Sequence, residues 1–184
     1  KENKIEPEIL YFDGETEGTL ELTKENVLEV LQKAGNIQIT MEGAAGSWFE
    51  QKLDITVKYS DIPELPSNII QNYGCSTFQP WNDHSIALEC TSKGAAAYLG
   101  FISPSITGTR FGDYTDTSLR YTWEEFPLGH LVQIQNHAAM QSYAEYPHFY
   151  LLGDPRIYLN SGAPYQIVRD EVIHRSEERR VGKE

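Results

Sequence analysis

Apolar and polar positions alternate along this chain in two rhythms. Val27, Leu28, Val30 and Leu31 recur at helical spacing behind Thr23, a capping residue with Asn26 three positions on. Gly35 stops that segment, so a helix is predicted over 23–34. Asn36–Met41 sets Ile37 and Ile39 between polar residues and reads as a strand. Glu42–Ser47 is built of small residues and reads as a loop, closed by Trp48-Phe49. Asp61–Pro66 holds two prolines and reads as a turn or linker. Asn68–Tyr73 is apolar enough for a buried strand, and Ser85 caps a helix over 85–93 that Gly94 ends. Ala95–Ile102 is almost continuously apolar, as expected of a central parallel strand covered on both faces. Residues 103–118 are rich in Ser, Thr, Gly and Asp and read as a long loop. A helix is expected over 130–144, after a break at Pro127-Leu128-Gly129. Phe149–Leu152 and Ile157–Leu159 read as short strands about the turn Gly153-Asp154-Pro155.

This order of elements predicts an α/β fold with a mostly parallel sheet and helices on both faces. Strands 36–41, 68–74 and 95–102 are expected to be adjacent and parallel. In such sheets the ligand site lies beyond the carboxyl ends of the strands. Two segments occupy that position, Glu42–Ser47 and Gly74–Pro80.

Composition narrows the picture. The chain of 184 residues carries a net charge of −12, which argues against a nucleic-acid partner, whose phosphates require a cationic footprint. No apolar run approaches the roughly 20 residues of a membrane span. Two cysteines, Cys75 and Cys90, exclude a disulfide-dense scaffold and the multi-cysteine zinc modules. The composition changes at residue 175: the last ten residues hold four of the 15 basic residues. That segment, 175–184, looks like translated read-through of a sequencing adapter and is excluded from the fold. Residues 160–174 read as a linker and the first strand of a following domain, with Tyr165–Val168 as the strand start.

Cys75 is the strongest candidate for chemistry. It follows a hydrophobic strand at the edge where such sheets present their sites. A thiolate there is a nucleophile if a base or cation stabilises it, and N–H groups of the Gly74–Thr77 turn are candidate oxyanion donors. The alternative is a small buried hydrophobe, the reading that suits Cys90 in mid-helix. A nucleophilic cysteine needs an imidazole close in space. His84, in the polar run Trp81-Asn82-Asp83-His84, is the nearest in sequence. His130 and His137 share a helix face and are expected at the surface or core edge. Asp154 reads as a turn residue. Trp48 and Trp81 flank the two candidate segments, either walling a cleft or covering the open sheet end. No phosphate loop, dinucleotide fingerprint, EF-hand loop or His-Glu-x-x-His motif occurs.

Three stretches carry a family likeness: the helix–strand–loop from Asn26 to Trp48; Asn72-Tyr73-Gly74-Cys75-Ser76-Thr77-Phe78 with Ser85–Glu89 and the Gly94–Gly100 strand; and Tyr150-Leu151-Leu152-Gly153-Asp154-Pro155. Together they resemble the C-terminal half of the gingipain-type cysteine peptidase domain. The resemblance implies a caspase-like three-layer sandwich over 1–159, incomplete because the family's first strands lie outside this chain. It implies a secreted or cell-surface protein acting on a peptide or protein substrate without a cofactor, and an immunoglobulin-like module beginning at 160–174. It places the nucleophile on Cys75. The position of the family's catalytic histidine falls on Glu42, counted back from Trp48, and Phe78 stands where the family usually has glycine after the Cys-x-Thr run. A carboxylate cannot supply the cation that favours a thiolate, so His84 or another residue would have to replace it. The other implied role is that of a catalytically silent homologue serving as a binding or structural module.

Overall fold

The computed structural model describes residues 10–11, 20–33, 35–39, 41–103, 126–142 and 148–158. The long loop read over 103–118, apart from Ser103, the segment 160–174 and the tail 175–184 lie outside these residues. In chain order the elements are β1 (Leu10–Tyr11), β2 (Leu20–Glu21), α1 (Lys24–Leu31), β3 (Asn36–Ile39), β4 (Glu42–Ala44), β5 (Ser47–Glu50), β6 (Ile55–Lys58), β7 (Ile69–Asn72), α2 (Ile86–Ser92), β8 (Ala97–Phe101), α3 (Leu128–Ser142) and β9 (Phe149–Gly153).

The helix ends follow the capping chemistry expected of them. Thr23 accepts a hydrogen bond from the Asn26 backbone at 3.1 Å, and Ser85 accepts from Leu88 at 3.3 Å. Behind α2, Gly94 donates to Thr91 and Ala95 to Cys90, the paired bonds that satisfy the last carbonyls of a helix.

The main sheet has the order β3-β7-β8-β9. β3, β7 and β8 are parallel, in the register Ile37↔Ile70 and Ile70↔Tyr98, and β9 runs antiparallel to β8 with Phe101 opposite Phe149. The three strands expected to be parallel neighbours are therefore so. All residues of β7 and β8 are buried, because side chains alternate between two covered faces. On one face Ile70 and Tyr98 pack with Val27 and Leu31 of α1 and with Ile86, Ala87 and Cys90 of α2. On the other, Ile69, Ala97, Leu99 and Phe101 pack with Leu128 and Leu131 of α3 and with Phe149. Each fully buried side chain of this size contributes about 1.5–3 kcal/mol. The sheet is thus mixed, mostly parallel, and lies between helices on either face.

One reading of the sequence is corrected. Glu42–Ser47 is not a loop: β4, a tight turn at Ala45-Gly46, and β5 form a hairpin, which β6 extends to an antiparallel three-stranded meander. The meander is tied to the α1 side of the sheet by Trp48, Ile55 and Val57, which join the same apolar cluster. Trp48 has 0% exposure and donates from Nε1 to the Tyr98 hydroxyl at 3.3 Å. Trp81 is 67% exposed. Of the two roles open to the tryptophans, Trp48 takes the one of covering the sheet. Among the described residues, no helix is long and apolar enough to cross a membrane.

Asp61 fastens the meander to α1. Its carboxylate accepts from Lys24 Nζ at 2.8 Å and from the Lys58 backbone at 2.7 Å. The hydrogen bond from Lys24 holds the Asp61 carboxyl below its ordinary range.

Two outcomes are expected. Trp48→Ala should lower urea-unfolding stability by about 3–5 kcal/mol, while Trp81→Ala should change it by less than about 0.5 kcal/mol. Asp61→Asn should cost about 1 kcal/mol or less at neutral pH. A carboxyl whose folded value is depressed stabilises the fold above its unfolded value and loses that contribution as pH falls through the folded one. The gap between Asp61→Asn and wild type should therefore close as urea titrations move from pH 6 down through and below the ordinary carboxylate range.

Candidate active site at the carboxyl end of the sheet

β7 ends in a turn fixed by its own last residue. The Asn72 side chain is fully buried, and its Oδ1 accepts from the Gly74 backbone at 2.7 Å. Tyr73 still donates to Ile39 at 2.9 Å, so parallel pairing continues one residue past the strand. Ser76 then takes a left-handed conformation, φ 53°, uncommon for a residue with a Cβ. Its N–H donates to the Ser103 carbonyl at 3.0 Å, and that of Phe78 donates to Phe101 at 2.8 Å. The turn carrying Cys75 is thereby bound back onto the carboxyl end of β8. Thr77, fully buried, donates to the Gly74 carbonyl at 3.2 Å and closes the turn.

The chain leaving β3 passes directly over this turn. A Cβ on Gly74 would lie 2.5 Å from the Met41 carbonyl oxygen and 3.0 Å from the Gly43 nitrogen. One on Gly43 would lie 2.2 Å from Thr77 Cγ2 and 3.1 Å from the Cys75 carbonyl oxygen. Both positions therefore need glycine for close backbone approach. This contact makes the Glu42 and Cys75 backbones neighbours.

The side chains part company. Successive residues of a strand face opposite ways. Gly43 faces the Cys75 turn, so Glu42 leaves the hairpin on the other side, where its exposed carboxylate accepts from Gln51 Nε2 at 3.2 Å. His84 lies at the hairpin tip, while Cys75 lies at its base. A Cβ on Gly46 would be 2.6 Å from the His84 carbonyl oxygen. The exposed His84 ring stacks on Tyr59, with centroids 4.7 Å apart and planes 22° apart.

Cys75 is half-buried and Cys90 buried, and neither is in a disulfide. Burial, and secondarily the neighbouring Glu89, push the Cys90 thiol far above its ordinary range. Cys90 thus fits its reading as a core residue. His130 and His137 are exposed on α3, with the His130 ring edge-on to Phe126 at 4.6 Å. Asp154 accepts from the Arg156 backbone at 2.9 Å and pairs with its guanidinium. That contact holds its carboxyl at about 2, and the turn role fits. Among the described residues, no group of three or more His, Cys, Asp and Glu side chains is gathered as metal ligands would be.

One pair escaped the sequence reading. Ser103 Oγ lies 2.5 Å from His148 Nδ1, at the same end of the sheet as Cys75. No family model matches this chain, and no curated protein matches it.

The thiols should separate cleanly on alkylation. In native buffer, iodoacetamide followed by peptide mass mapping should modify Cys75 alone, because the thiolate is the reactive form and Cys90 is both buried and held protonated. Cys90 should become labelled only in denaturant.

Proposed function

We propose that this chain is part of a cysteine-type endopeptidase domain of the gingipain type, with a caspase-like fold. In this reading the protein is secreted or held at the cell surface and cleaves peptide or protein substrates. The observation that carries the reading is the position of Cys75. A half-buried thiol stands where parallel strand β7 ends, in a turn bound on one side by the chain leaving β3 and on the other by the end of β8. That is the edge at which open α/β sheets carry their chemistry.

The chemistry is acyl transfer. Cys75 Sγ attacks the substrate carbonyl carbon, the carbonyl electron pair moves to oxygen, and the C–N bond then breaks as the amine leaves protonated. Water hydrolyses the thioester and restores the thiol. The N–H groups of Gly74 and Ser76 are spent on Asn72 and Ser103, so they do not serve the oxyanion. Glu42 at the position of the family's histidine favours the second reading, a domain that binds peptides without cleaving them.

A peptidyl acyloxymethyl ketone tests the choice. The peptidase reading expects a mass adduct mapped to Cys75, and cleavage of a peptide library that vanishes in Cys75→Ala. Native, folded protein that neither cleaves nor forms the adduct would overturn the peptidase reading.

A further inference from the structure

β9 reverses direction relative to β8, so its first residues lie at the carboxyl end of β3, β7 and β8, beside the Cys75 turn. His148 immediately precedes β9, and Ile102 donates to its carbonyl at 3.0 Å. The half-buried imidazole is held at Nδ1 by Ser103 Oγ, at 2.5 Å. Its backbone is clamped from α3, where Asn136 Oδ1 accepts from His148 at 3.0 Å and from Phe149 at 2.9 Å. Asn136 Nδ2 donates to the Phe149 carbonyl at 2.6 Å. Ser103 is also the residue whose carbonyl receives the Ser76 N–H at 3.0 Å. One residue therefore fixes both the turn that carries the thiol and the ring of a histidine. Ser103, Ile102 and Asn136, which hold His148, carry no charge.

We infer that His148, oriented by Ser103, is the proton-transfer residue of the Cys75 site. This rests on the reading of Cys75 as a nucleophile. A base needs its ring fixed by a further group, and here Ser103 Oγ serves that purpose. The active tautomer carries its proton on Nδ1, donated to Ser103 Oγ. Nε2 takes the proton of the Cys75 thiol as sulfur bonds to the substrate carbonyl carbon. The imidazolium returns that proton to the leaving amine nitrogen when the C–N bond breaks. Nε2 then takes a proton from the water that displaces sulfur, and the released thiolate recovers it. No charge or atom is left over, and no co-reactant is needed beyond substrate and water.

The test measures second-order iodoacetamide rates at Cys75 against pH by peptide mapping, for the wild-type chain, Ser103→Ala and His148→Gln. Glutamine keeps a polar group for Ser103 yet cannot titrate, and circular dichroism checks the fold. His148→Gln should lose at least tenfold in rate at pH 7 relative to wild type and change the shape of the profile. Ser103→Ala should show a smaller loss of the same kind. A merely structural histidine would leave the shape of the profile unchanged. Coincident profiles for His148→Gln and wild type would overturn the inference, even while Cys75→Ala abolishes labelling and the thiol reading stands. Peptide cleavage that survives in Cys75→Ala would overturn both.

Discussion

Covering β7 and β8 on both faces is the constraint from which the rest of the molecule follows. The parallel connection from β3 to β7 returns through the meander and that from β7 to β8 through α2; α1, ahead of β3, covers the same side, and α3, between β8 and antiparallel β9, covers the other. Connections then collect at the strand ends, and polar side chains trapped inside must find partners there. Gln71, buried in β7, donates to Asn36 Oδ1 at 2.7 Å and accepts from the Tyr73 hydroxyl at 3.1 Å. Asn72, one residue on and facing the other layer, turns its carbonyl oxygen to Gly74 and so bends the chain into the Cys75 turn. The reactive-looking turn is thus a product of how a fully buried strand is brought to an end.

Much of this was legible in residue order. The apolar run at 68–73 announced a buried strand and that at 95–102 a doubly covered one, and Thr23 and Ser85 announced helix starts, because these signals are local and strong. The meander was missed. Glu42–Ser47 has no β-branched side chain to mark a strand, and its pairing depends on partners several residues further on. A signal was present downstream: Ile55-Thr56-Val57-Lys58 alternates buried and exposed positions, the period of a half-covered strand.

The candidate site divides in the same way. Motif spacing located the backbones of residues 42 and 75 beside each other, since a strand's carboxyl end is a position that spacing can give. It did not give the direction in which Glu42 points, which is set by the pleat of a hairpin the reading lacked. The Ser103–His148 pair was out of reach for another reason. It depends on β9 running against its neighbours, and strand direction leaves no trace in hydrophobic periodicity.

That reversed strand has a consequence for the order of assembly. A chain is synthesised from its N-terminus, and sheets built from distant segments form late and slowly. The Cys75 turn and both of its backbone neighbours are complete once β8 has emerged. The last strand, with the histidine ahead of it, arrives long afterwards and docks onto an edge already laid down. Until then the nascent fold holds a thiol without the imidazole beside Ser103. Any proton-transfer partner carried ahead of β9 therefore acts as a timer, keeping the cysteine unassisted until β9 has been made.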